Sequence, residues 1–197
     1  MSTDEAHTAL VKLLYMAYAN EHAAAHAYTG QSRGLFISSA ERRHIRSIAQ
    51  AEVKHYQTVQ QLLAQLHAPL SGLRARLMTA VGQMIGLLCV FGGRLIPMYG
   101  AGWLESDVVN IYIKAAQYAW LANHPEIIPQ LLDMAEEEWD HEAYFRASVS
   151  SHWLGKHLMI WQQPTPRQNL RTDFARFCQK QQKQRIYGDL QQIKSAP

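Results

Sequence analysis

The sequence predicts an all-α fold: a four-helix bundle with an additional apolar connecting helix and a C-terminal extension. Three observations carry that expectation. Apolar residues recur at the helical period, as in Leu10, Leu13, Leu14, Ala17 and Tyr18. No segment alternates apolar and polar residues in the manner of a half-buried strand. A lone glutamate followed by Glu-x-x-His also occurs twice: Glu21 then Glu52-Val53-Lys54-His55, and Glu105 then Glu138-Trp139-Asp140-His141. The gaps between the two glutamates are 31 and 33 residues. Two antiparallel helix pairs with matched turns would bring all four segments to one level.

The first helix is expected from about Ala6 to Arg33, with a turn at Gly34-Leu35-Phe36. Ser38-Ser39-Ala40-Glu41 offers an N-cap and a capping-box glutamate for the second helix. Its inward stripe is Ile45, Ile48, Glu52, His55, Val59, Leu62 and Leu63, and it runs to about His67 before Pro69. The connecting helix is Leu77–Gly93, nearly uncharged, with Arg74 and Arg76 before it and Arg94 after it. Pro97, Gly100 and Gly102 are expected to separate it from the third core helix, Trp103 to Ala122. Asn123-His124-Pro125 reads as a turn whose proline opens the fourth, Pro125 to about Trp153. A further helix over Asn169–Gln184 suits the glutamine-rich remainder.

These boundaries give a bundle over residues 1–159 and a basic, Gln-rich extension over 160–197. The chain's net charge of +3 is unevenly spread. From residue 160 onward seven Lys/Arg face two acids, so the extension carries the basic character and the bundle is slightly acidic. With 197 residues and 48% hydrophobic composition, the bundle is large enough for a real core. Two distant cysteines, Cys89 and Cys178, exclude a disulfide scaffold and a four-cysteine metal site. The polar N-terminus lacks a signal peptide's basic start and apolar stretch, so a cytoplasmic location is expected.

Residues three apart on a helix share a face, so Glu-x-x-His aims a carboxylate and an imidazole at one point. Glu21, Glu52, His55, Glu105, Glu138 and His141 together form the ligand set of a carboxylate-bridged pair of metal ions in a bundle core. Hard carboxylates with one imidazole per ion suit two Fe ions, with Mn as the alternative, better than Zn. Four carboxylates also balance two divalent cations. The lone glutamates Glu21 and Glu105 supply carboxylates that can bridge the ions, and no catalytic residue is assigned beyond the ligands. A tyrosine follows each lone glutamate by seven positions, Tyr28 and Tyr112.

Glu-x-x-His occurs three times, where about half a match is expected by chance, so the third has to be accounted for. Glu41-Arg42-Arg43-His44 lies in the polar first turn of the second helix and reads as a cap. Pairing Glu21 with Glu41 would place the turn inside the first helix, so His55 is chosen over His44. In the acidic cluster Glu136, Glu137, Glu138, Asp140 and Glu142, a solvated face accounts for Glu137, Asp140 and Glu136. Glu138 instead lies on the stripe of Leu131, Met134, Ala135, Phe145 and Val149. Of the other histidines, His26 lies near the ligand level.

These residues and their surroundings resemble the demethoxyubiquinone hydroxylase family of ferritin-like di-iron proteins over roughly residues 10–150. The matching stretches are Asn20-Glu21-His22 through Tyr28-Thr29-Gly30-Gln31, Ala51-Glu52-Val53-Lys54-His55, Glu105 through Tyr112, and Ala135 through His141. The family's histidine before the third-helix tyrosine is Ile111 here, and the chain continues for some forty residues past the family's usual end. The resemblance implies a ferritin-like bundle and a dioxygen-dependent monooxygenase of ubiquinone biosynthesis. It would hydroxylate a quinone ring carbon and release the second oxygen atom as water, with electrons drawn from an external donor such as NADH.

A small hydrophobic substrate, a quinone among them, would reach the site through a cavity wide enough for an aromatic ring. That cavity should open on the side covered by Leu77–Gly93. Ile48, Val59, Val108, Ile111 and Met134 are expected to keep water from the site. The connecting helix, about 17 residues long, is marginal for spanning a bilayer but suited to lying on one through flanking arginines, which would place the protein peripherally on the inner face of the membrane. An ordinary buried connecting helix is the competing reading. Two other functions fit the same ligand set: a tRNA-modifying di-iron hydroxylase whose basic tail grips phosphates, and a ferritin-like protein that stores or oxidises iron. Nucleic-acid binding is the minor reading, and a monomer or small homo-oligomer is expected.

Overall fold

The structure, a computed structural model, describes residues 1–158 and 160–195, with side chains described through residue 184 except at 159. It is all-helical, with no strand among the described residues. Six helices follow in order: α1 Thr3–Gln31, α2 Ser39–Gln65, α3 Gly72–Phe91, α4 Leu95–Leu121, α5 Ile128–Ser150 and α6 Leu170–Ser195. Helices α1, α2, α4 and α5 form the bundle, α3 lies along α1, and α6 lies against α4 and α5.

Capping chemistry sets the first two boundaries. Ser38 accepts from the Glu41 amide, and Glu41 accepts from the Ser38 amide, the expected capping box. Ser2 and Glu5 make the same reciprocal pair, so α1 begins three residues ahead of the expected Ala6. The expected break between the connecting helix and Trp103 lies earlier, at Gly92-Gly93, and α4 runs unbroken through Pro97, Gly100 and Gly102. Pro97 is the third residue of α4, where a backbone N–H has no intrahelical partner to lose. Gly102 is there to admit Trp161, whose indole occupies the space a Cβ would need. A single 3₁₀ turn, Pro125–Ile127, precedes α5.

The core is split in two. One cluster gathers Leu10, Leu14, Leu62, Leu63, Val109, Ala115 and Leu131. The other gathers Tyr28, Ile45, Ile48, Met98, Phe145 and Val149. Each fully buried large apolar side chain stabilises the fold by about 1.5–3 kcal/mol. On every bundle helix the segment between the two clusters holds a buried acid: Glu21, Glu52, Glu105 or Glu138.

Helix α3 approaches α1 closely at Gly82 and Gly86, where a Cβ would overlap the α1 backbone around Ala23 and His26. His26 is therefore turned toward α3 and away from the buried acids. The opposite face of α3 is exposed and apolar, with Leu73, Leu77, Met84, Leu87, Leu88 and Phe91 all more than half exposed. The helix is long and apolar enough to cross a membrane by length and composition, yet only 11% of its most apolar window is buried. It is not a buried connecting helix.

The extension docks on the bundle. Trp161 and Leu170 are buried, and the Ser106 hydroxyl donates to the Gln162 carbonyl at 2.9 Å. Arg171 pairs with Glu136 at 2.6 Å and Asp133 at 2.5 Å, and Arg167 with Asp140 at 3.0 Å. Part of the tail's basic charge thus meets the acidic face of α5, which is not simply solvated at Glu136 and Asp140. Arg185, Asp189 and Lys194, counted in the tail's charge, lie outside the described side chains.

Candidate metal centre

Glu21 on α1, Glu52 and His55 on α2, Glu105 on α4, and Glu138 and His141 on α5 converge in the layer between the two core clusters. The four glutamates are 0–2% exposed and His55 is 3% exposed, burial that carboxylates reach only with partners. Their ligand atoms form two overlapping groups, Glu21/Glu52/His55/Glu138 and Glu52/Glu105/Glu138/His141, each within 4.8 Å. The cluster could hold a metal ion.

Glu52 and Glu138 belong to both groups, whereas Glu21 and Glu105 belong to one each. The carboxylates shared by the two groups are therefore those of the Glu-x-x-His pairs, while the lone glutamates each serve one group. Within each pair the imidazole three residues on takes the outer place, leaving its glutamate in the middle.

Both imidazoles present Nδ1 to the centre. His55 Nδ1 lies 2.6 Å from Glu138 Oε1, and His141 Nδ1 lies 3.0 Å from Glu52 Oε1. Yet Glu52 Oε1 and Oε2, Glu138 Oε1 and His55 Nδ1 are buried without an aligned hydrogen bond. Buried polar atoms are rarely left so. Lone pairs aimed at shared points rather than at donors suit a cation, and the donor set of carboxylates and imidazoles fits iron or manganese.

The tyrosines that follow the lone glutamates cross over. Tyr28 donates to Glu105, the lone glutamate of the other half, and Tyr112 donates to Glu21 Oε1 at 2.6 Å. Both phenols are buried and fix the carboxylates whose burial would otherwise leave them mobile or unpaired. His55 Nε2 donates to Glu137 Oε2 at 2.8 Å. Glu137, expected to be merely solvated, thus orients a member of the cluster. Its signal in the sequence was only its place beside Glu138.

Glu142, one turn beyond Glu138, was given no role and is fully buried. It accepts from the Trp161 indole N–H at 2.6 Å and from Arg146 at 2.6 Å, tying the extension to α5. His44 lies outside both groups, packed against Tyr144 with the rings tilted by 38° and their centroids 3.9 Å apart. Ile48, Val59, Val108 and Met134 are buried around the layer, while Ile111 is half-buried at the edge of the larger cluster.

Without metal, protons fill the site. Burial, with Glu138 and Glu52 opposite, pushes the carboxyls of Glu21 and Glu105 well above the ordinary range. Burial opposes charge on His55, but Glu138, Glu137 and Glu52 outweigh it and hold the imidazolium far above its ordinary value. Burial likewise opposes charge on His141, but Glu138 and Glu52 push it up to about 11. Burial also opposes charge on Glu52 and Glu138, yet His55 and His141 close beside them keep both low. In the metal-free cluster proton binding is thus favoured on Glu21, Glu105, His55 and His141 and disfavoured on Glu52 and Glu138.

A pH dependence follows. Glu21, Glu105, His55 and His141 bind protons more tightly folded than unfolded, so their stabilisation is complete below the ordinary values, about 4.5 and 6.5. It is lost as pH rises toward the folded values, about 11 for His141. Glu52 and Glu138 are ionised throughout that window and contribute constantly. The melting temperature of metal-free protein should fall as pH rises through this range. A divalent ion must displace these protons, so the rise in melting temperature caused by Mn²⁺ should grow with pH. Thermal melts with and without Mn²⁺ across the window check this, and a metal effect that shrinks with rising pH would contradict it.

Beside the cluster lies a cavity of about 610 Å³ between α1, α3 and α4. Glu21, Glu105 and Tyr28 form its polar end, and Ala24, Ala27, Val81, Ile85, Leu88, Ala101 and Leu104 are among its apolar walls. Helix α3 forms one of its walls, and its volume is in the range of small-molecule sites. No family model matches the chain, and neither the curated proteins nor the solved structures yield a match.

Proposed function

We propose that this protein is a ferritin-like di-iron monooxygenase that uses dioxygen to hydroxylate a small aromatic or quinone ring, as in ubiquinone biosynthesis. The observation that carries this reading is the apolar cavity ending on Glu21 and Glu105, the two carboxylates that belong to one ligand group each. A pair of iron ions held by Glu21, Glu52, His55, Glu105, Glu138 and His141 would supply dioxygen activation and the transfer of one oxygen atom.

The chain's own residues supply the rest. Ala24, Ala27 and Ala101 leave room for a planar ring against the carboxylate end of the cavity. Tyr28 and Tyr112 hold Glu105 and Glu21 in place as substrate enters. Val108, Ile48 and Met134 exclude water, which would quench a reactive oxidant. The exposed face of α3, with Arg74 and Arg76 in its first two turns, would lie in a membrane interface and open the cavity toward a lipid-soluble substrate. Electrons come from an external donor, with NADH as the proposed source.

Two observations weigh against the rival readings. Arg167 and Arg171, which a nucleic-acid role would need for phosphate, are paired with acids on α5. An iron store has no use for an apolar ring-sized cavity at its metal site. The test is turnover of a short-chain methoxybenzoquinone by iron-loaded, reduced protein under ¹⁸O₂. One ¹⁸O atom in the product is expected. Bound iron with no labelled product, or many irons per chain, would sink this reading.

A further inference from the structure

The two halves of the chain are related by an approximate twofold exchange. Glu21 matches Glu105, Glu52 matches Glu138, His55 matches His141 and Tyr28 matches Tyr112. The tyrosine bonds obey it, each reaching the lone glutamate of the other half. The same exchange would join the residue before each Glu-x-x-His to the histidine of the other half. One such bond exists, from His55 Nε2 to Glu137 on α5 at 2.8 Å. Its counterpart would run from His141 to residue 51 on α2, which is Ala51 and offers only a methyl group. Among the described residues, the polar contacts of His141 are all made by Nδ1, to Glu52 and Glu138, and its outer nitrogen has no carboxylate.

We propose that the two metal positions are inequivalent, and that Glu137, acting through His55, makes the position beside Glu21 the tighter one. The inference rests on reading the cluster as a two-metal centre. An imidazole that donates its outer N–H to a carboxylate has its tautomer fixed, with the inner nitrogen presenting a lone pair, and is the more basic ligand. His55 has both advantages and His141 has neither. Such outer partners typically change metal affinity by about 10–100-fold. The Glu137 side chain is 58% exposed, which places its effect toward the lower end. Glu137 is thus a positioning residue that makes the two ions fill in order, the Glu21/His55 position first.

Calorimetric titration with Mn²⁺ tests this, because it reads occupancy without any turnover. Wild-type protein should bind in two steps separated by about tenfold or more. Glu137→Ala should weaken the tighter step by about tenfold and draw the two together, while Glu137→Gln, which keeps an acceptor without the charge, should fall between. Ala51→Glu should tighten the weaker step by supplying the missing partner. Both positions are at least partly exposed, so circular dichroism should show unchanged helix content. Two equal steps in the wild type, or a Glu137→Ala variant that shifts both steps alike, would overturn the inference and leave the metal-centre reading standing. No Mn²⁺ binding by any of the proteins would overturn the metal-centre reading itself, and the inference with it.

Discussion

Glu138→Ala should empty both metal positions, whereas Glu21→Ala or Glu105→Ala should empty one. The difference follows from Glu138 belonging to both ligand groups while each lone glutamate belongs to a single group. The variant should still fold. Breaking a buried charge pair costs about 3–5 kcal/mol, and His55 and His141 can shed protons to reduce that cost. The apolar clusters on either side of the layer remain intact. His55→Ala and His141→Ala should each lose much of one ion, and His44→Ala should lose none because it lies outside both groups. Metal content per chain by elemental analysis, beside a thermal melt, reads all of these. Equal losses from Glu138→Ala and His44→Ala would contradict the assignment.

Ala24→Trp should separate metal binding from turnover. Ala24 lines the cavity from α1 and is not a ligand, and an indole there would occupy much of the space a substrate ring needs. Metal content should be unchanged, and oxygen-dependent turnover of a ring substrate should fall by about two orders of magnitude or more, as misplacement of a reacting atom by about 1 Å already costs that much. Turnover that survives Ala24→Trp unaltered would show that substrate reaches the cluster by another route.

The convergence of six polar residues on one layer was legible because Glu-x-x-His states its own geometry: two residues three apart on a helix must share a face. The Gly34 turn and the Ser38 cap then fixed which third histidine to set aside. What was not legible depended on partners distant in the chain. Pro97 and Gly102 look like helix breakers in isolation, but Pro97 falls in a first turn and Gly102 receives Trp161 from about sixty residues on. Glu137 and Glu142 sit in a run of acids that composition alone assigns to solvent. Only the packing of α2 and of the extension against α5 gives one a histidine and the other an indole, beside the Arg146 that α5 itself places one turn on from Glu142. Which glutamates are shared by the two ligand groups was hidden for a related reason. Spacing puts a carboxylate and an imidazole on one face but does not say which reaches farther across the bundle. The docking of α6 was equally hidden, since Arg171 finds its acids only in the assembled fold.

The most direct test of the central claim is a crystal of aerobically purified protein measured at the iron absorption edge. The account expects two anomalous peaks inside the layer, about 3.5–4 Å apart, each within ligand distance of one histidine and both shared by Glu52 and Glu138. No peak in that layer, or peaks confined to the surface with Glu52 and Glu138 bonded only to protein, would contradict it.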